Sequence, residues 1–281
     1  MRLLWDTRYC DAASLTPSSA HANYPAVNVQ DKLPQRTWRT TGLAGQYLIL
    51  DLGQEVSCNA LTLVNTNLTC AGLIQVQASN DPAFATLLLD ESHDACHAII
   101  GYGEGGYGDF GWGGYFPESE RSFYQPRPIR VIYFDLTAAR YWKIAFTDPD
   151  NEAGYLAVGR LILTRYTEFT RQFGYNWAYT GTDDSQSQRS IGGQLWIDKI
   201  PVVSRLALTW PSFRREDVPW LLLFFWRQVQ TTEYFVVDCL PDTDSSERYF
   251  TLLYGRLTTV PENTFIDNRN CELIMEIEEV L

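Results

Sequence analysis

Short apolar stretches separated by turn residues run the length of the chain. Residues 47–52 (YLILDL), 60–64 (ALTLV) and 73–78 (LIQVQA) begin the series, and 130–135, 141–146 and 159–163 continue it. The 73–78 stretch alternates apolar and polar positions, as a strand with one buried face does. Many short strands with punctuated turns predict a sandwich or jelly roll. Around 164–174 the pattern changes, which predicts a domain boundary and two domains, 1–166 and 167–281. The second half resumes with 195–197 and the alternating 204–210, followed by the one helical pattern in the chain. Val218, Leu221, Leu222, Phe225 and Val229 fall on one face, Ser212 is a candidate N-cap, Glu216 and Asp217 sit in the early turns and Arg227 near the end. That spacing predicts a helix near 213–228, with Pro219 as an alternative start of its regular part. Strands at 234–237, 249–254 and 271–277 follow. In the last of these Leu273, Met275 and Ile277 share a face opposite Glu272, Ile274 and Glu276.

Residues 101–115, GYGEGGYGDFGWGGY, alternate glycine with aromatics and offer little bulk for a core. They read as a long surface loop inserted in the first domain. It is either a contact patch built from exposed Tyr and Trp or an insertion with no role.

A length of 281 residues suits two domains, and 45% hydrophobic with 20% charged residues is the balance of a folded protein. Aromatics, at 14%, suit both half-buried sheets and contact surfaces. A formal net charge of -12 opposes the phosphate backbone, so direct nucleic-acid binding is not expected. No apolar run approaches the ~20 residues of a membrane span, and the N-terminus reaches Asp6 too soon for a secretory signal. Six cysteines (10, 58, 70, 96, 239 and 271) form no CxxC pair, so free buried thiols are expected. His93, Asp94, Cys96 and His97 would share a metal only if a helix set the two imidazoles one turn apart. The polar context argues for a loop, so no metal or other cofactor is assigned.

The first half resembles the discoidin, or coagulation-factor type C, family of galactose-binding-like jelly rolls. The resemblance rests on Pro25-Ala26-Val27-Asn28, then Thr37-Trp38-Arg39, the strand closing in Asp51-Leu52-Gly53, Gln75-Val76-Gln77-Ala78-Ser79-Asn80-Asp81, and Ala139-Arg140-Tyr141-Trp142-Lys143-Ile144, in that order. It covers about residues 3–165. It implies Trp38 in the core, Asp51-Leu52-Gly53 turning the chain out of a strand, and Arg140 at a strand start. It also implies ligand contact, with glycans, lipids or proteins, through loops at one end. Some relatives hold a structural calcium near the place of Asp31, although the usual Asp-Gly is here Asp31-Lys32.

The second half resembles tail-tube-like proteins of long, non-contractile-tailed phages. Arg189-Ser190-Ile191-Gly192-Gly193-Gln194 leads into a strand, a second strand ends at Leu208-Thr209-Trp210-Pro211, a helix follows, and ELIMEIEEV closes the chain. The combined expectation is a mainly β protein: a galactose-binding-like jelly roll followed by a tail-tube-like β-sandwich with one flanking helix.

Three functions follow as expectations. The first is a structural, non-enzymatic subunit of a phage tail tip, assembled with itself as a ring or trimer and with tube, hub and fibre proteins in the virion. There Asp183, Asp184, Glu276, Glu278 and Glu279 either line a channel or form a solvated face. The second is a host-surface glycan-binding module, with Tyr24, Trp112, Tyr115 and Asn151 as candidate contacts because they fall in predicted loops. The third is a glycosidase using paired carboxylates such as Asp148 with Asp150 or Glu118 with Glu120. No nucleophile–base order, phosphate loop or metalloprotease motif accompanies them.

Overall fold

The computed structural model describes residues 1–97, 128–169, 171–216, 218, 224–242, 248 and 251–280. The Gly/Tyr-rich segment 101–115, with Trp112 and Tyr115, and the Glu118/Glu120 pair lie outside them. Contacts divide the chain into two units, Met1–Glu168 with Phe235–Leu253, and Phe169–Tyr234 with Tyr254–Leu281.

The first unit contains β1 (Arg2–Leu4), a helical turn α1 (Arg8–Asp11), β2 (Ser14–Pro17), β3 (Trp38–Arg39), β4 (Gln46–Thr66), β5 (Leu73–Ser79), β6 (Leu89–Asp94), β7 (Ile129–Thr147), β8 (Ala157–Thr164), β9 (Thr167–Glu168) and β14 (Phe235–Asp238). All its pairings are antiparallel, and β4 and β7 run side by side for most of their length. Residues 46–51 of β4 and 141–147 of β7 lie with β2, β5 and β6. Residues 60–66 of β4 lie with β8, which also carries β3. The two long strands thereby serve both layers of an antiparallel β-sandwich. β1 separately lies between β14 and β9.

Between the layers sits one core, and its members follow the sequence periodicity. Ile74, Val76 and Ala78 point in from β5, Leu48 and Leu50 from β4, and Trp142, Ile144 and Phe146 from β7. Trp38, fully buried, donates its indole N–H to the Ser19 carbonyl at 3.0 Å and packs against Phe146. The core role expected for it is thus observed.

Two motif expectations are corrected. Asp51-Leu52-Gly53 does not end a strand: β4 continues to Thr66, and the register with β7 shifts between Asp51 and Val56. Gly53 sits at φ +76°, a left-handed conformation suited to glycine, and its N–H donates to Asp51 Oδ1 at 2.8 Å. A bulge re-aims the strand without terminating it. Arg140 is accordingly inside β7, where it pairs with Asp51 at 2.7 and 2.9 Å.

The cysteine expectation also needs correction. Cys70 and Cys96 are joined as a disulfide, with Cα atoms 4.9 Å apart, whereas Cys10, Cys58, Cys239 and Cys271 are free and buried. The β5–β6 hairpin brings the two cysteines together across 26 residues, a proximity that spacing alone does not show.

The second unit contains β10 (Ala178–Thr182), β11 (Gln186–Arg189), β12 (Leu195–Asp198), β13 (Val203–Arg214), β16 (Glu262–Phe265) and β17 (Asn270–Glu279), with β15 (Leu252–Leu257) entering it at Tyr254. β17 pairs with β13 along one edge and with β15 and β16 along the other, and β10 pairs with β13. Leu273, Met275 and Ile277 are buried as the alternation requires, beside Leu206, Leu208 and Trp210 of β13. The helix expectation is corrected at its start. Ser212 and Phe213 belong to β13, whose register against β17 shifts between Trp210 and Phe213, around Pro211. Proline has no N–H for a ladder, so the irregularity carries the strand past it, and Ser212 is no N-cap. Val218 and Phe224 are each helical, and Phe224 leads into a π-helical turn at Phe225–Val229; Asp217, Pro219, Leu221 and Leu222 of the predicted helix lie outside the described residues. Among the described residues no helix is long and apolar enough to cross a membrane.

Candidate functional site

Segments far apart in sequence meet at one rim of the first unit. The His21 N–H donates to the Arg39 carbonyl at 2.8 Å, and the Arg39 N–H donates to the Tyr24 carbonyl at 3.1 Å, clipping the 18–24 segment onto β3. β3 pairs with β8, Arg39 opposite Ala157, which sets Tyr155 alongside. The Arg39 guanidinium then lies 3.8 Å from the Tyr24 ring centroid and 5.0 Å from that of Tyr155, and the His21 ring is 5.5 Å from Tyr24. His21 is exposed, and Tyr24, Arg39 and Tyr155 are half-buried.

The chemistry of this cluster is readable from its hydrogen bonds. Arg39 Nε donates to the Thr37 hydroxyl at 3.3 Å, while its terminal nitrogens have no hydrogen-bond partner among the described residues. The two rings hold the cation in place by cation–π attraction, about 0.5–1 kcal/mol per contact at such a site. His21 Nδ1 accepts the Asn23 N–H at 3.3 Å, so the neutral ring carries its proton on Nε2. The rim therefore presents fixed N–H donors beside aromatic faces.

A buried clasp positions Tyr155. Asp148, at 1% exposure, accepts the Thr69 N–H at 2.8 Å, the Thr69 hydroxyl at 2.7 Å and the Asn151 amide at 2.9 Å. Asn151 also donates to the Asn67 carbonyl at 2.7 Å, and the Asn67 side chain donates to the Tyr155 carbonyl at 2.9 Å and accepts the Ala157 N–H at 2.6 Å. The 148–156 loop is thus fixed from inside, where dispensing with any partner would strand a buried polar group.

No protein-family model matches the chain, and no curated protein matches it. Several solved structures are similar. The lectin domain of lectinolysin complexed with Lewis B antigen is 13% identical, over 57% of this chain and 98% of that one, with a TM-score of 0.39. CpGH89CBM32-5 from Clostridium perfringens, in complex with GalNAc-β-1,3-galactose, is 16% identical over 56% and 98%, with a TM-score of 0.38. The family 32 CBM of C. perfringens NanJ, in complex with galactose, is 13% identical over 59% and 100%, with a TM-score of 0.38. All three are carbohydrate-binding or lectin folds matched at low identity.

Of the residues singled out from the sequence, Tyr24 stands in the rim cluster. Asn151, at 6% exposure, belongs to the clasp behind it and is turned inward. The candidate carboxylates Asp148 and Asp150 differ in setting: Asp148 is the buried clasp acceptor and Asp150 is exposed. Asp31 is engaged, by the Leu33 N–H at 3.0 Å and by Arg36 at 2.8 Å.

His93 lies on β6 and bonds Glu91 at 3.1 Å, and Cys96 is in the disulfide. The helical face needed for a shared metal is not formed there, and no group of metal-holding side chains occurs among the described residues. His97 is buried between Arg130 and the Val131 N–H, and burial with two nearby arginines holds its pKa well below the ordinary value. In the second unit Glu278 pairs with Arg205 at 2.8 Å, and the exposed Asp183 accepts the Ser185 N–H at 2.9 Å.

His21, Arg39 and Tyr155 were not among the sequence candidates. Only the proximity of His21 to Tyr24, and of Arg39 to the core Trp38, was available as a local signal, because strand pairing and not sequence brings Tyr155 to them.

Proposed function

We propose that the first unit is a glycan-binding module and that its contact surface is the rim formed by His21, Tyr24, Arg39 and Tyr155. One observation carries this reading: a guanidinium pinned by two aromatic rings with its terminal N–H groups unpaired among the described residues. Sugars present hydroxyl acceptors beside apolar C–H faces. Arg39 and His21 Nε2 supply donors for the hydroxyls, and the tyrosine rings cover the C–H face. The role proposed is binding, because the rim supplies donors and aromatic faces. A glycan array probed with the full chain, followed by titration calorimetry on the best sugar, tests it. Arg39→Ala is expected to lower affinity at least tenfold, the loss of one or two hydrogen bonds to a charged donor. No sugar bound by the protein, or equal binding by Arg39→Ala, refutes the reading.

A second reading concerns the second unit, and it rests on the β11–β12 hairpin. This two-stranded ribbon has every strand residue exposed, including Leu195, Trp196 and Ile197 at 49, 66 and 62%. Isolated hairpins are marginal in water, and an apolar pair of neighbours such as Trp196 and Ile197 exposes both faces. The hairpin supports the view that this unit assembles with copies of itself, as a structural subunit of a phage tail tip carrying the glycan-binding module to the host surface. Mass photometry of the full chain should show a ring or trimer that Trp196→Ser with Ile197→Ser dissociates. A monomer at micromolar concentration would count against self-assembly.

A further inference from the structure

The chain is strongly acidic, yet one cavity of the second unit is basic. It has a volume of about 780 Å³, and Arg171, Arg214, Arg215 and Arg269 line it together with Asn268 and Asn270. Glu216 is the single acidic side chain in the lining. Four arginines around one cavity, in a chain of net charge -12, are a local reversal of sign that the sheet creates. The sequence scatters them over the segment before β10, the end of β13 and the turn before β17.

The cavity is built and not merely charged. The 267–270 turn is stiffened by Asp267, which accepts the N–H groups of Arg269 at 2.6 Å and Asn270 at 2.7 Å and the Asn270 amide at 3.0 Å. The Arg215 N–H donates to the Arg269 carbonyl at 2.9 Å, tying that turn to the chain just after β13. Arg171 donates to the Ser212 carbonyl at 2.8 Å and to its hydroxyl at 2.7 Å, and Ser212 lies 3.1 Å from the Asn270 side chain. Arg215 lies over the Phe265 ring, its Cζ 5.1 Å from the centroid, a contact that uses none of its N–H groups. Arg214 has the exposed Glu216 at 3.3 Å, and the Arg269 side chain has no partner among the described residues. Two guanidiniums, Arg215 and Arg269, thus keep their donors available, with a third, Arg214, held only by a solvent-exposed pair that competes weakly.

We infer that this cavity binds a phosphate group carried by a small molecule such as a phosphorylated sugar. Forked guanidinium donors match the oxygens of a tetrahedral oxyanion, and a dianion uses more than one of them. The cleft is open to solvent and large enough to admit one phosphate with an attached ring. A long nucleic acid would instead lie against an acidic chain.

Isothermal titration of the full chain tests this with three probes at matched ionic strength: inorganic phosphate, glucose 6-phosphate and a single-stranded 20-mer of DNA, against chloride as the blank. The expected result is saturable binding of inorganic phosphate and tighter binding of glucose 6-phosphate, weakened about tenfold or more by Arg269→Ala and likewise by Arg215→Ala. Arg269 is exposed, so its substitution leaves the fold intact, and an unchanged circular dichroism melt verifies that. Heat no different from chloride, or affinities unmoved by Arg269→Ala, overturns the proposal. So does binding of the DNA without binding of glucose 6-phosphate, which would make the patch a nucleic-acid surface.

Discussion

Replacing Asp148 with alanine should loosen the rim of the first unit from behind. The carboxylate is 1% exposed and accepts three hydrogen bonds, two from Thr69 and one from Asn151, at 2.7–2.9 Å. Hydrogen bonds to a charged group contribute about 1.5–3 kcal/mol each, and a buried donor left unpaired costs about 1–3 kcal/mol. The sum is an upper bound. Asn151 keeps its bond to the Asn67 carbonyl and the Thr69 hydroxyl can rotate, so roughly 3–4 kcal/mol is the working figure. For a domain of about 150–250 residues each kcal/mol moves the melting point by about 2–4 °C, which gives a drop of about 10 °C. The assay is a near-ultraviolet circular dichroism melt of the full chain, with Asp150→Ala as the reference. Asp150 is an exposed neighbour of the same charge, and its loss should stay within about 0.5 kcal/mol. Because the clasp reaches Tyr155 through Asn67, Asp148→Ala should also weaken any sugar the rim binds. Equal melting points for the two variants would refute the clasp.

Other outcomes follow from separate features. Arg140 holds the Asp51 carboxyl below its ordinary value, chiefly by hydrogen bonding, so the pair contributes stability above the unfolded pKa of about 3.9 and loses it as pH falls through the depressed folded value. Melts of the native protein and Asp51→Asn should therefore differ at pH 7 and converge as pH drops below about 4; a constant gap would contradict this. Ellman titration in denaturant should count four thiols before reduction and six after, since only Cys70 and Cys96 are joined. Under native conditions Cys10 and Cys58 should react slowly, because burial pushes their thiols up to about 11 and about 12. Gly159→Ala should destabilise by several kcal/mol (~3 or more), since the added carbon would meet the Pro34 carbonyl, a backbone atom that cannot swing aside. A melting point within a degree or two of the native protein would show that the backbone there yields.

Period-two alternation determined much of this protein by itself. Ile74, Val76 and Ala78 face inward, as do Leu273, Met275 and Ile277, because a strand with one wet face has a single register that buries its apolar set. The core place of Trp38 was legible too, through the family resemblance that Thr37-Trp38-Arg39 helps to carry. What tertiary structure alone decided are the joins. Nothing in the spacing of Cys70 and Cys96 announces a bond that the β5–β6 hairpin makes. The end of β13 reads as a helix start because Ser, Glu and Asp follow one another there, but pairing with β17 outweighs a local cap. Asn151 reads as a loop contact and is instead a buried donor, since burial depends on what the rest of the chain places over a residue. The rim of His21, Tyr24, Arg39 and Tyr155 and the four-arginine cavity are of the same kind. Each gathers side chains from segments that local propensity treats independently, and only long-range backbone pairing sets them within reach of one ligand.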